Sequence, residues 1–234
     1  FTEPQNWPTS WKGWLNALKA ESYLAIGNDS QATKHINRIN DNFAKTYIKA
    51  KQFIAKGLLD DAKKAIYNLV DEETASASVF YTAGQIEEAI GNIELSKENY
   101  VKSYGLANHW YRPALSLASV ALLQGDYDQA KKYIEEANNR NASSTSVSSG
   151  YAEYYSLRNN LDAATEALSV LINARKADFQ MLTAKGIIEL KRGESEKARD
   201  TFIEATALER NYSRAYSFMA VSHLHSGEPD IAFR

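Results

Sequence analysis

The chain has 234 residues, with 27 basic and 29 acidic side chains and a formal net charge of -2 at pH 7. This balance gives no general attraction to nucleic acid or to an anionic membrane, so neither is expected as a partner. The absence of cysteine excludes a thiolate zinc site, a disulfide framework and a cysteine nucleophile. The longest apolar run, Leu115 to Leu123, is too short to span a bilayer, so no direct membrane insertion is expected.

Residues 1–9 hold two prolines and no periodicity, which predicts an irregular lead-in. Amphipathic helical segments then alternate with short turns, and we interpret residues 10–234 as a single array of paired helices. The approximate bounds of its units are 10–41, 42–73, 74–107, 108–142, 143–176, 177–211 and an incomplete 212–234. An array normally closes with a polar capping helix, so we expect the natural protein to continue past Arg234. A first residue of Phe1 instead of Met indicates a mature or excised fragment.

Two segments have more than one interpretation. Residues 143–150 are rich in serine, which favours a helix N-terminus with capping residues, or alternatively a mobile hinge. Aromatic side chains concentrate near the start of the chain, at Trp7, Trp11, Trp14 and Tyr23. They are either an end cap that buries its own tryptophans or a docking surface, because Trp and Tyr are favoured interface anchors.

A glycine that would end a helix recurs at intervals of 34 residues. The series is Gly57, Gly91, Gly125, Gly193 and Gly227, with Asn159 at the remaining step. A second series of small residues has the same period: Ala62, Ser96, Ala130, Ala164, Ala198 and Ala232. Self-similarity at a fixed period of this length is the signature of a stacked repeat architecture.

These units resemble the tetratricopeptide repeat, which has 34 residues and small side chains at positions 8, 20 and 27, with a large one at position 24. The fourth unit matches with Ala118, Gly125, Ala130, Ile134 and Ala137, and the sixth with Gly186, Gly193, Ala198, Phe202 and Ala205. The resemblance implies an all-α fold, an α-α superhelix or solenoid of about seven helix-turn-helix units. One departure is position 11, normally a large apolar residue, which is polar in three units: Glu87, Glu189 and His223.

The resemblance also implies a concave groove lined by the first helix of each unit, at positions 2, 5, 9 and 12. Such a groove suits an extended peptide or a partner helix. The residues that we predict to bind a partner are Tyr47, Lys51, Tyr81, Gln85, Arg112, Leu115, Ser119, Leu122, Ser149, Glu153, Thr183, Ile187, Arg214 and Ser217. The clamp of lysines and asparagines with which some relatives bind acidic chaperone tails is not reproduced.

No motif for chemistry emerges from the sequence. It contains no Gly-rich phosphate loop, no nucleophile elbow and no His-Glu-x-x-His pair. His223 and His225 would point in nearly opposite directions on a helix, so no metal site is expected. We therefore expect no catalysis and no cofactor.

The leading hypothesis is a scaffold that binds a peptide or protein partner, within a larger bacterial protein or assembly. The alternative is the non-catalytic repeat region of a larger enzyme, similar to a sulfotransferase or glycosyltransferase, lying beyond Arg234. An RNA binder similar to pentatricopeptide proteins is disfavoured, because those proteins have 35-residue units and a basic groove. The composition is compatible with the cytoplasm and with the bacterial periplasm.

Overall fold

The computed structural model describes residues 9–70, 75–172, 178–208 and 213–232. Within these ranges the backbone forms helices and no strand. The helices are α1 (Thr9–Ala25), α2 (Asp29–Ile36), α3 (Asn42–Ala55), α4 (Leu59–Val70), α5 (Ala77–Ile90), α6 (Ile93–Leu106), α7 (Tyr111–Leu123), α8 (Tyr127–Arg140), α9 (Thr145–Leu157), α10 (Leu161–Ile172), α11 (Phe179–Lys191), α12 (Ser195–Leu208), α13 (Ser213–His225) and α14 (Pro229–Ala232). The predicted all-α class and the pairwise packing of a helical repeat solenoid are confirmed.

The helices form two compact units, residues 1–103 and 104–234, with the boundary inside α6. In the first unit, α3 packs against α1 and α2, and α5 packs against α3 and α4. In the second, α9 packs against α7 and α8, α11 against α9 and α10, and α13 against α11 and α12. Within each unit, the first helix of a later pair therefore contacts both helices of the pair before it. The single array over 10–234 and the bounds of its units stay predictions. Residues 1–8 of the predicted lead-in lie outside the residues that the structure describes. The first helix, α1, begins at Thr9.

The turns fall where the 34-residue series places them. The glycines of that series all have positive φ, and so does Asn159, at 60°. Gly91, for example, follows α5 in the left-handed conformation with φ 92°, and its N–H donates to the carbonyl of Glu88. Glycine adopts this conformation without the steric cost that a Cβ imposes, which explains why it recurs at the end of first helices. Further along, α9 begins at Thr145, so residues 143–150 contain a helix N-terminus, but the Ser144 side chain at its N-cap makes no capping hydrogen bond.

The second series of small residues lies at helix crossings. Ala62, Ser96, Ala130, Ala164 and Ala198 are each completely buried. Their positions on the second helices allow the backbones of neighbouring helices to approach closely. A larger side chain at any of them would have no free volume, because interiors pack at the density of organic crystals.

Where the two helices of a pair pack together, a small residue on the first helix faces a larger residue on the second. The residue at position 8 of a unit and the residue 16 positions later complement each other. Where the later residue is an aromatic ring, position 8 is glycine: Gly84 faces Tyr100, and Gly186 faces Phe202. Where the later residue is aliphatic, position 8 is alanine and both belong to one core cluster: Ala20 with Ile36, Ala50 with Ile66, Ala118 with Ile134, and Ala152 with Leu168.

This size match predicts the effect of Gly186→Ala. An added Cβ would lie 2.5 Å from Cε1 of Phe202, which is completely buried, so the variant should lose about 1–3 kcal/mol of unfolding free energy. Combining it with Phe202→Leu should cost less than the sum of the single changes, because Ala152 and Leu168 coexist naturally. Urea denaturation measures all three variants.

Gly105→Ala is the matched control. A Cβ at Gly105, near the end of α6, meets nothing within 4 Å. This variant should gain up to about 1 kcal/mol through helix propensity alone. Equal destabilisation by both substitutions would contradict the size match.

Candidate partner-binding cleft

Three first helices of the second unit, α7, α9 and α11, lie side by side, because α9 contacts both of the others. A cleft with a cavity volume of about 40 Å³ opens along α9, and we call it the α9 cleft. It is lined by Leu115, Ala118, Ser119, Leu122, Ile134, Ser146, Ser149, Gly150, Glu153 and Gln180. At one wall of the cleft α9 approaches α7 closely, because a Cβ at Gly150 would lie only 3.3 Å from Cδ2 of Leu115.

Two buried polar side chains on one face of α9 line the cleft. Ser149 is 4% exposed, and its Oγ has no hydrogen-bond partner among the residues that the structure describes. Glu153 lies one turn further along α9 and is 9% exposed. A buried hydroxyl without a partner costs about 1–3 kcal/mol, so Ser149 lowers the stability of the fold.

The cleft brings together five of the residues that the sequence predicts to bind a partner: Leu115, Ser119, Leu122, Ser149 and Glu153. Sequence reasoning missed Ser146 and Gln180, which line the same cleft. The signal was present, because Ser146 lies 34 residues after the predicted Arg112, and Gln180 lies 34 residues after Ser146. All three are position 2 of their units, and each is the second residue of the unit's first helix.

Four predicted residues belong to the first unit and lie outside this cleft. Tyr47 is half-buried, and its hydroxyl accepts a hydrogen bond from Thr82 at 3.4 Å. Lys51 forms an ion pair with Glu21 and lies over the ring of Tyr47. Tyr81 packs against Tyr100, with 5.6 Å between ring centroids. Gln85 is exposed.

The other predicted residues of the second unit differ in exposure. Arg112 and Ser217 are exposed. Thr183 and Ile187 are each 1% exposed, and the Thr183 hydroxyl donates to the carbonyl of Phe179, so both lie within the helix packing. Arg214 lies on α13, but its side chain is outside the described part of the chain.

The aromatic cluster near the start of the chain is described only in part. Trp14 is 66% exposed and lines a cavity of about 500 Å³ with Ala17, Ile39 and Ala44. Tyr23 stacks on the ring of His35, with centroids 5.5 Å apart. The side chains of Trp7 and Trp11 fall outside the described residues, so the two interpretations of this cluster stay open.

The polar residues at position 11 are accommodated by specific partners. Glu87 is completely buried, and its carboxylate forms an ion pair with Lys63 at 2.9 Å and accepts a hydrogen bond from Asn92 at 2.7 Å. Burial by itself would raise the pKa of Glu87, but hydrogen bonds from Asn92, Lys63 and Tyr67 outweigh it and lower the pKa. Burial and the neighbouring Glu87 carboxylate raise the pKa of Tyr67 to about 12.

In the second unit, too, the polar residues at position 11 have hydrogen-bonding partners. The carboxylate of Glu189 accepts a hydrogen bond from Thr201 at 2.7 Å, and His223 Nδ1 lies 2.8 Å from a carboxylate oxygen of Glu228. These clusters hold a turn or a second helix in place. In the described residues no group of His, Asp and Glu has the arrangement of a metal site, and no helix has the length and apolar character needed to cross a membrane.

Residues 121–186, which include most of the α9 cleft, match the family model of the tetratricopeptide repeat. This segment carries the tetratricopeptide repeat. The match and the fold together confirm the resemblance that the 34-residue pattern indicates.

Solved structures with this tetratricopeptide-repeat fold cover nearly the whole chain. A tetratricopeptide repeat protein from Parabacteroides merdae superposes with a TM-score of 0.62 at 14% identity, over 95% of this chain and 90% of that one. PilF from Pseudomonas aeruginosa gives a TM-score of 0.62 at 16% identity, over 91% and 99%. The Cut9–Hcn1 hetero-tetramer of the APC/C gives 0.69 at 13% identity, over 93% and 44%. At these identities the likeness shows the fold alone, and no curated protein matches the chain in sequence.

The unsatisfied hydroxyl of the α9 cleft predicts that Ser149 adds nothing to stability. Ser149→Ala should leave the unfolding free energy unchanged or raise it by about 1 kcal/mol, because it removes a buried group without a partner. Ser103→Ala is the control, since the Ser103 hydroxyl donates to the carbonyl of Ala77 at 2.8 Å, and its loss should cost about 1 kcal/mol. Thermal and urea unfolding compare the two; equal losses would show that Ser149 has a structural role.

The Glu87 cluster predicts a dependence of stability on acid pH. Because the folded-state pKa of Glu87 is lowered from its usual 4.5, its contribution is fully present above that value and is lost as pH falls through the folded-state pKa. Glu87→Gln should therefore destabilise the chain near neutral pH and flatten the loss of stability in acid. Urea midpoints between about pH 3 and pH 7 measure this effect.

Glu135→Gln removes an exposed carboxylate on α8 and is the control for the loss of one surface charge. The cluster would be shown to contribute nothing if Glu87→Gln and this control had the same pH profile.

Proposed function

We propose that the chain is a non-catalytic scaffold within a larger bacterial protein or assembly, and that it binds a peptide or protein partner along its first helices. In the second unit the binding site is the α9 cleft. The observation that carries the proposal is the lining of this cleft, where apolar side chains surround a buried hydroxyl that no described residue satisfies.

The size and lining of the α9 cleft suit a single anchoring side chain. Its volume of about 40 Å³ is far below that of a pocket for a small-molecule substrate, which typically reaches about 300 Å³ or more. A few well-packed anchors supply most of the binding energy at protein interfaces. An extended peptide that crosses α7, α9, α11 and α13 would place one side chain in the cleft and the rest of its length on exposed residues of these helices, such as Arg112 on α7 and Ser217 on α13.

Proteins with this fold support the same interpretation. Cut9 is found in a hetero-tetramer with Hcn1, and the Naa15/Naa10 complex, with a TM-score of 0.51, is found bound to HypK. The match to Cut9–Hcn1 spans 44% of that chain, so it concerns the repeat fold and not its particular partner. A repeat array that packs only through its neighbours leaves one face of its first helices available for such contacts.

Site-directed photo-crosslinking tests the scaffold function. Benzoylphenylalanine in place of Ser146, at the rim of the α9 cleft, should give one or a few discrete crosslinked protein species in cells of the source organism. The same residue in place of Lys132, an exposed position on the second helix α8, should not give those species. Identical crosslinks from both positions, or none from Ser146, would contradict a partner site on the first helices.

A further inference from the structure

The first helix, α1, presents large apolar side chains where a later first helix is covered by the pair before it. On α3 the residue at position 6 is Ile48, which is 3% exposed and lies in one core cluster with Ile36 and Ile39 of the preceding pair. On α1 the same position is Leu18, which is 39% exposed, and one turn before it Trp14 is 66% exposed. Residues four apart share one face of a helix, so these two side chains form one apolar patch on α1.

A cavity of about 500 Å³ opens beside this patch, and we call it the Trp14 cavity. It lies between α1 and the start of α3, and its apolar lining includes Ala17, Ile39 and Ala44 as well as Trp14 itself. One water molecule takes up about 30 Å³, so the cavity can hold an entire aromatic side chain. The same region of the surface therefore carries a projecting aromatic ring and a recess of a size to receive one.

A dimer with two-fold symmetry brings the same surface of both copies together, so that surface must be complementary to itself. We infer that two copies of this chain associate through α1, and that each places its Trp14 ring in the Trp14 cavity of the other. Because Trp14 also lines the cavity, the two rings lie against each other, and aromatic pairs favour such contact when the rings are offset. The inference goes beyond the proposed function, since it concerns the first unit and does not involve the α9 cleft.

The lining of the Trp14 cavity also offers an acceptor for the indole N–H, which usually has a hydrogen-bond partner when tryptophan is buried. Asn40 and Asp41 lie beside the apolar part of the lining, and the Asp41 side chain is exposed. One carboxylate oxygen of Asp41 accepts from the Ala44 N–H at 2.6 Å and caps α3. A carboxylate has about four lone-pair sites, so the second oxygen can accept the N–H of the other copy's Trp14.

The size of the patch indicates a weak dimer. A buried aromatic side chain removes about 150–250 Å² from water, whereas a stable complex buries roughly 800 Å² on each partner. We therefore expect a dissociation constant on the order of micromolar and a fast exchange between monomer and dimer. Trp14 should supply most of the affinity, because a few aromatic anchors dominate the binding energy of an interface.

Sedimentation equilibrium of the full chain over roughly 1–200 µM tests the inference, since this range covers the affinities of small interfaces. The chain should show a reversible equilibrium between monomer and dimer. Trp14→Ala should weaken this association about tenfold or more. Leu123→Ala is the matched control, because Leu123 is a 53% exposed aliphatic residue of the second unit, and its loss should leave the association unchanged.

A mixing experiment tests the reciprocal arrangement. Ala44→Leu fills the Trp14 cavity and keeps the ring, whereas Trp14→Ala removes the ring and keeps the cavity. Each variant by itself should associate weakly, but an equimolar mixture should form heterodimers with one ring in one cavity. The mixture should therefore associate several-fold more strongly than either variant alone. Circular dichroism and urea denaturation show that both variants are folded.

Three results would overturn the inference. They are a chain that stays monomeric over the whole range, an association that Trp14→Ala leaves unchanged, and a mixture that associates no better than its components. If the chain is monomeric and Trp7→Ala makes it dimerise, the occupant of the cavity is the chain's own Trp7, which lies outside the described residues. None of these results bears on the α9 cleft, which the crosslinking experiment tests separately.

Discussion

The size match between the two helices of a pair is the constraint on which the rest of the structure depends. Each of the six pairs from α1–α2 to α11–α12 joins one small residue on its first helix to one large residue 16 positions later. The ring of Phe202 fits only because Gly186 has no Cβ, and Ile134 fits beside Ala118. Because the match is made within a pair and repeated along the chain, no central core is needed. It also explains how the units tolerate aromatic and aliphatic residues at the same position.

This packing leaves room for polar residues elsewhere. Glu87 occupies a position that is usually apolar, yet it is fully buried because Lys63, Asn92 and Tyr67 surround its carboxylate. Buried polar groups of this kind are stable only when every member has a partner. The Ser149 hydroxyl differs because it has no described partner, and the fully buried Ser96 hydroxyl shares this property. Unsatisfied hydroxyls therefore occur both inside the α9 cleft and outside it.

The α9 cleft lies beside an unusual run of small residues. Between residues 143 and 150 the chain is mostly serine, and it ends in Gly150. Once this segment forms the start of α9, its backbone lies close to Leu115, since a Cβ at Gly150 would be 3.3 Å from Cδ2 of Leu115. Under the proposed function, this cleft is where a side chain of the partner would enter.

The sequence by itself determined the repeat, the all-α class, the left-handed turns from Gly57 to Gly227, and five of the ten cleft residues, because each depends on local periodicity. Only the tertiary structure showed that Thr183 and Ile187 lie in the helix packing, while Ser149 and Glu153 share a cleft with Gln180. Periodicity gives the face of a helix on which a residue lies. It does not give the distance between neighbouring helices, which depends on the size of every side chain at their contact.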